Sequence, residues 1–135
     1  MKKMRYITTH KAPIPVGPYS QGVTYGDFVF VSGQIPLNPE TGEIVKGGIE
    51  EQTEQVIKNI SEILKEGGSC LENTVKVTIF LKNMKDFEGM NKVYSRYFIN
   101  KPARSTVEVS NLPKGVLIEM DCIGFITEME THKRE

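Results

Sequence analysis

Residues 75 to 81, VKVTIFL, alternate with a period of two, the pattern of a strand that presents one face to a core. Val75, Val77, Ile79 and Leu81 are predicted on one face, and Lys76, Thr78 and Phe80 on the other. Upstream, GVTYGDFVFVS from Gly22 to Ser32 holds two short β-rich runs around Gly26-Asp27, the turn chemistry of a hairpin. Residues 33 to 48 are dense in Pro, Gly and Asn and read as loop. The period then changes. Ile49, Thr53, Val56, Ile57, Ile60, Ile63 and Leu64 recur at helical spacing, Glu50, Glu51 and Glu54 favour the helix N-terminus, and Gly67-Gly68 ends it.

A second helix is predicted over Asp86 to Ile99, with Phe87, Met90, Tyr94, Tyr97 and Phe98 on one stripe. Asn91 falls inside that stripe, between Phe87 and Tyr94, where an amide needs a partner. Two strands follow, Arg104 to Val109 and roughly Val116 to Thr127, joined by the turn SNLPKG, and EMETHKRE is a charged tail. The order strand, strand, helix, strand, helix, strand, strand predicts an α+β domain, a single sheet with both helices on one side. The other face stays uncovered. There the last strand would show Leu117, Glu119, Asp121, Ile123 and Phe125, with Phe80 beside them. Large apolar groups mixed with acids on an open sheet predict burial against another subunit, with a polar pocket at the acids.

A length of 135 residues fits one domain, 1–135, with its core over about 7 to 127 and the tail at 128 to 135. Lys and Arg total 17, as do Asp and Glu, so no net field draws in nucleic acid or an anionic membrane surface from a distance. The start, MKKMRYITTH, is basic but has no apolar run behind it, and no segment has the length to span a bilayer. A cytoplasmic protein with no membrane association is the expectation. Cys70 and Cys122 lie far apart without metal-ligand spacing, and His10 and His132 sit at opposite ends of the chain, so neither a metal site nor a Ser-His-Asp triad is predicted.

The stretch KPARSTVEV raises the first chemical possibility, because Arg104 and Thr106 share one face of the predicted strand. A guanidinium fixed there matches a carboxylate with two parallel N–H donors, or else it is a solvated or salt-bridged strand arginine. Glu119 poses the same choice inside VLIEMDCI: it pairs with an arginine, or it lines a cavity where burial raises its pKa toward the range useful for proton transfer. GPYSQG brings Tyr19, and VSGQIP brings Ser32 and Gly33 at a strand end where backbone amides can approach a ligand. Each is also ordinary turn or core sequence taken alone.

Together these pieces are specific. PVGPYSQG, VSGQIPLNPETG, FEGMNKVY with YF, PARSTVEV and LPKGVLIEMD, in this order, closely resemble the RidA family, also called YjgF/YER057c/UK114, over about Ile7 to Thr127. The resemblance implies a chorismate-mutase-like α+β fold and a homotrimer with ligand clefts between subunits. It also implies hydrolysis of reactive 2-imino acids to 2-oxo acids and ammonia without metal or organic cofactor. On this reading Arg104 holds the substrate carboxylate, Glu119 activates water, and Tyr19, Ser32, Gly33 and Asn91 complete the pocket. Thr106 takes a place that often carries Cys in the family, so a thiol role there is absent and only its backbone amide can serve. Lys101 stands where an aromatic often precedes the proline. Two alternatives remain: a sensor that binds a 2-oxo acid without turnover, and an endoribonuclease or translation inhibitor. Zero net charge, no Trp and no His near the candidate site count against the second.

Overall fold

The computed structural model describes residues 2–127 and contains the predicted α+β arrangement with one additional strand. In chain order the elements are β1 (Arg5–Ile7), β2 (Gly22–Tyr25), β3 (Phe28–Gln34), α1 (Ile49–Glu66), β4 (Thr74–Leu81), α2 (Phe87–Tyr97), β5 (Ala103–Glu108) and β6 (Ile118–Phe125). They form one six-stranded sheet in the order β1-β2-β3-β6-β4-β5. All pairs are antiparallel except β4 and β5, which run parallel, so the sheet is mixed and α2 is their crossover. The tail EMETHKRE lies outside the described residues.

Alternation along the three central strands builds the core. Val29 and Val31 of β3, Val77, Ile79 and Leu81 of β4, and Ile118, Met120 and Cys122 of β6 all face the same way and are buried. Val56, Ile57, Ile60, Ile63 and Leu64 of α1, with Met90 and Val93 of α2, close over them. Burying each such side chain contributes about 1.5–3 kcal/mol. Burial of the Cys122 thiol drives its pKa far above the ordinary cysteine range, so it behaves as a hydrophobe. Both helices occupy one face. The other leaves Phe28, Phe30 and Phe125 exposed and Phe80 and Ile123 half-buried, as the alternation predicts.

Three details correct the sequence reading. β1 was not predicted; it is three residues long, two of them exposed, and pairs only with β2. Val75 does not share the core face with Val77: the β4–β6 ladder is irregular between Thr74 and Lys76, so Val75 turns outward at 40% exposed and Thr74 is buried instead. The Thr74 hydroxyl donates to the Leu71 carbonyl at 2.7 Å, which satisfies it. On α2 the buried residues are Met90, Val93 and Tyr94, whereas Phe87 and Tyr97 are only partly covered.

Buried amides of α1 secure the irregular segments. The Asn59 amide donates to the Leu37 carbonyl at 3.0 Å and to the Ile35 carbonyl at 3.4 Å, pinning the start of the long loop. Gln52 accepts the Leu117 backbone N–H at 2.8 Å, fixing the entry to β6. Asn59→Ala takes the donor from the Leu37 carbonyl, while the Ile35 carbonyl keeps the Leu37 N–H at 2.7 Å, and should destabilise the fold by about 1–3 kcal/mol in urea unfolding. An unchanged midpoint would show that water replaces the amide at no cost.

Candidate functional site

Glu119 projects from β6 onto the helix-free face, in register with Phe80 of β4. On its other side β3 is irregular: Val31 lies opposite Cys122 and Gln34 opposite Met120, so Ser32 and Gly33 form a bulge against β6. That bulge brings the Gly33 backbone under the carboxylate. A Cβ built on Gly33 would collide with the Glu119 carboxylate, so any larger residue there would push that carboxylate out of its present place. Glu119 and Gly33 line a cavity of about 460 Å³ with Tyr19, Ser32, Gln21 and Lys114.

The cavity wall is held by polar contacts that the sequence did not reveal. Gln21 is 2% exposed; its amide donates to the carbonyls of Thr9 (2.9 Å), Ala12 (3.2 Å) and Pro13 (3.0 Å), while its oxygen accepts the Thr9 N–H at 2.7 Å. This clamp fixes the Pro13–Val16 segment at the cavity rim. The Ser32 hydroxyl donates to the Ser20 carbonyl at 2.5 Å, and the Ser32 N–H to the Gln21 carbonyl at 2.9 Å. Tyr19 stands at the rim, 51% exposed. Lys114, in the LPKG turn with φ +57°, also reaches this cavity, and only the quoted turn motif hinted at it.

Burial raises the pKa of Glu119 above the ordinary carboxylate value, and the neighbouring Asp121 charge adds to the rise. Burial also raises Asp121, opposed by the Thr78 hydroxyl and the Lys76 ammonium.

Arg104 lies elsewhere. β5 is an edge strand, and its parallel register with β4 sets Arg104 opposite Val77 and Thr106 opposite Ile79, both core-facing residues. The guanidinium therefore runs beneath α2, its Cζ 4.7 Å from the centre of the Tyr94 ring and 5.6 Å from that of Phe87. Among the described residues no carboxylate pairs with it. It borders a hollow of about 400 Å³ lined also by Tyr94, Phe98, Ile99 and Lys101. Asn91 sits half-buried on α2 between Phe87 and Tyr94. Among the described residues the buried Thr106 and Tyr94 hydroxyls have no partner of full hydrogen-bond geometry, although Arg104 lies close enough to the Tyr94 oxygen to act on it as a donor. Burial raises the Tyr94 pKa, with the Arg104 charge opposing it.

The candidate residues thus form two groups on opposite faces of the sheet. Tyr19, Ser32, Gly33 and Glu119 share the open face, whereas Asn91, Arg104 and Thr106 lie on the helix side. Within one chain the cation and the carboxylate are not brought together. The open-face group supplies a proton acceptor in a partly dry cavity, and the helix-side group supplies a cation that no acid among the described residues pairs. Among the described residues no group of His, Cys, Asp and Glu is placed to hold a metal ion. No helix among them is long and apolar enough to cross a membrane.

A mixed sheet with two helices on one face, an acid in a cavity on the other and an edge-strand arginine under α2 defines the YjgF-type α+β class. The family model described as Endoribonuclease L-PSP matches residues 9–126, and the chain belongs to this family, the RidA or YjgF family. A RutC family protein of Pyrococcus abyssi is 61% identical over 120 residues, covering 88% of this chain and 94% of the relative. The chloroplastic Reactive Intermediate Deaminase A of Arabidopsis thaliana is 46% identical over 123 residues, covering 90% of this chain and 66% of that protein. The crystal structure of E. coli TdcF with bound serine superposes with a TM-score of 0.87 at 37% identity, covering 91% of this chain and 99% of that one.

The Gly33–Glu119 contact predicts a measurable coupling. In a carboxyl-detected NMR titration the Glu119 midpoint should lie above 4.5, and Gly33→Ala, by pushing the carboxylate toward water, should return it toward that value. Equal midpoints in the two proteins would show that the glycine does not set the environment of the acid.

Proposed function

We propose that the protein hydrolyses reactive 2-imino acids and their enamine tautomers, such as 2-aminoacrylate, 2-iminopropanoate and 2-iminobutanoate, to 2-oxo acids and ammonia. The site lies between copies of the chain in a homotrimer. The observation that carries this reading is the half-buried Arg104, which no acid among the described residues pairs and whose guanidinium lies against two aromatic rings. Such a guanidinium suits a small carboxylate, and Glu119 over Gly33 suits a water. Family membership and the Arabidopsis relative's name support the chemistry. Because Arg104 and Glu119 face opposite ways in one chain, they meet only if a second copy covers the open face, where Phe30, Ile123 and Phe125 await burial.

The reaction makes modest demands. The substrate carbon beside the carboxylate is doubly bonded to nitrogen and becomes strongly electrophilic when that nitrogen is protonated. Arg104 of one copy anchors the carboxylate and fixes its orientation. Glu119 of another takes a proton from water as the oxygen attacks carbon 2 and gives it to the nitrogen. The C–N bond then breaks as the C=O bond forms, ammonia leaves, and the hydroxyl proton passes back to Glu119 and on to the ammonia or solvent. Tyr19, Ser32 and Gly33 wall the pocket on the Glu119 side, and Asn91 and the Thr106 backbone do so on the Arg104 side. No cofactor enters these steps.

Ammonia release from imine generated in situ, compared with a protein-free blank, tests the activity. Arg104→Lys should lose on the order of 2 to 4 kcal/mol of transition-state stabilisation, about thirty- to a thousandfold in rate, because an ammonium lacks the planar fork. Glu119→Gln should hydrolyse about a hundredfold more slowly while binding 2-oxobutanoate within a few-fold of the parent. The acid limb of the parent's rate profile should fall as pH drops through the raised Glu119 pKa, so its midpoint lies above 4.5, and Glu119→Gln should abolish that limb. Near-parental imine hydrolysis and unchanged 2-oxobutanoate binding in a folded Arg104→Lys variant would sink the anchor. Binding by the parent without any acceleration over the blank would favour the sensor, and RNA cleavage without imine hydrolysis the nuclease.

Subunit mixing isolates the shared site. Inactive Arg104→Lys and Glu119→Gln chains, unfolded and refolded together in equal amounts, should recover about a quarter of parental activity, the fraction of interfaces that pair an intact arginine with an intact glutamate. No recovery would place both residues of each site in one chain.

A further inference from the structure

α2 carries Phe87 and Tyr94 two turns apart on one face, and both rings lie against the Arg104 guanidinium. Tyr94 is the nearer at 4.7 Å and is itself backed by Phe98, whose ring stacks on it at 4.4 Å between centres with 23° between planes. Phe98 is 2% exposed and belongs to the core, so the stack Phe98–Tyr94–Arg104 runs from the core out to the edge strand. Among the described residues the buried Tyr94 oxygen has no partner of full hydrogen-bond geometry, yet Arg104 approaches it closely enough to oppose, by charge and as a donor, the rise that burial gives its pKa, so Tyr94 offers Arg104 its ring face first and its oxygen second. Arg104 receives no ion pair from the described residues to fix it instead.

We propose that Tyr94 is a positioning residue for Arg104: its ring, held by Phe98, sets the plane of the guanidinium so that the N–H edge points toward the bound carboxylate. An arginine stem has several rotatable bonds, and an unpaired guanidinium at a sheet edge would otherwise sample many orientations. A ring face attracts the cation and leaves its in-plane donors free, which an acidic partner would not do. The core thereby pre-orders the anchor, and less is lost when substrate binds. This inference rests on the carboxylate-anchoring role proposed above for Arg104.

The experiment reads the stack first and activity second. In protein labelled with ¹⁵N-arginine, the Arg104 Hε signal should be shifted upfield by ring current in the parent and in Tyr94→Phe, and should move to the position of a solvated arginine in Tyr94→Leu. In imine hydrolysis Tyr94→Leu should raise KM about tenfold while kcat changes less than about threefold, the split expected when binding in ground and transition states is weakened alike. Tyr94→Phe, which keeps the ring, should stay within about twofold of the parent in both constants. The idea is overturned if the parent Arg104 signal already lies at the solvated position, a result that needs no variant to fold. It is equally overturned if Tyr94→Leu leaves signal and KM unchanged, or if Tyr94→Phe behaves like Tyr94→Leu and so assigns the effect to the hydroxyl. Absence of imine hydrolysis in the parent would remove the proposed activity while the Arg104 signal still decides the stack.

Discussion

Neighbouring side chains on a strand point to opposite faces, and in paired strands the register decides which residues share a face. Everything at the candidate site depends on this parity. Arg104 is in register with Val77 and Glu119 with Phe80, residues an odd number of steps apart on β4, so the sheet itself separates them. Two helices cover only the Val77 side, burying Arg104 partly beneath α2 and leaving Glu119 on the open side. A one-residue slip of β5 against β4 would reverse the placement of Arg104. It would also turn Val107 inward and leave the guanidinium without its rings. The observed register is the one that shelters the cation, at the cost of leaving Val107 exposed.

The two faces treat charge differently, and the difference follows from what covers them. On the open face the carboxylate of Glu119 lies against backbone, within a cavity whose rim is rich in proline and aliphatic side chains, so desolvation raises its pKa. A carboxylate made more basic while still near water is suited to accepting a proton. Arg104 is accommodated by two ring faces, each worth about 0.5–2 kcal/mol. That is enough to hold the side chain without an acidic partner among the described residues. A salt bridge would hold it as well but would occupy the edge that a ligand must meet.

The parts of this fold that read clearly from sequence are those with sustained periodicity: α1, α2, β4 and β6, together with the hairpin at Gly26, whose φ of +60° explains the glycine. β1 escaped because three residues with only Ile7 buried carry no period, and their pairing comes from the neighbouring strand. Val75 was misplaced because alternation assumes an unbroken ladder, and no residue in TVKV announces the bulge. Arg104 and Thr106 were correctly read as sharing a face. Which face was not legible, because β5 is an edge strand whose other residues are exposed and so give no pattern to orient it. The roles came from the order and content of the motifs, which local periodicity does not encode.

Three buried amides explain how an irregular cavity wall can stay fixed. Gln21 ties the segment before β2 to itself, Asn59 reaches from α1 to the loop after β3, and Gln52 holds the residue just before β6. None of these backbone groups is satisfied by a strand partner, so each amide replaces a ladder hydrogen bond where the ladder stops. Asn59 and Gln52 belong to the helix that packs on the covered face, yet the segments they hold border the open one. The core thus orders both sides of the sheet: through Phe98 and Tyr94 on the arginine side, and through side-chain amides on the glutamate side. A wall made this way stays rigid without regular structure, which leaves the strand ends and the Gly33 bulge free to approach a ligand closely.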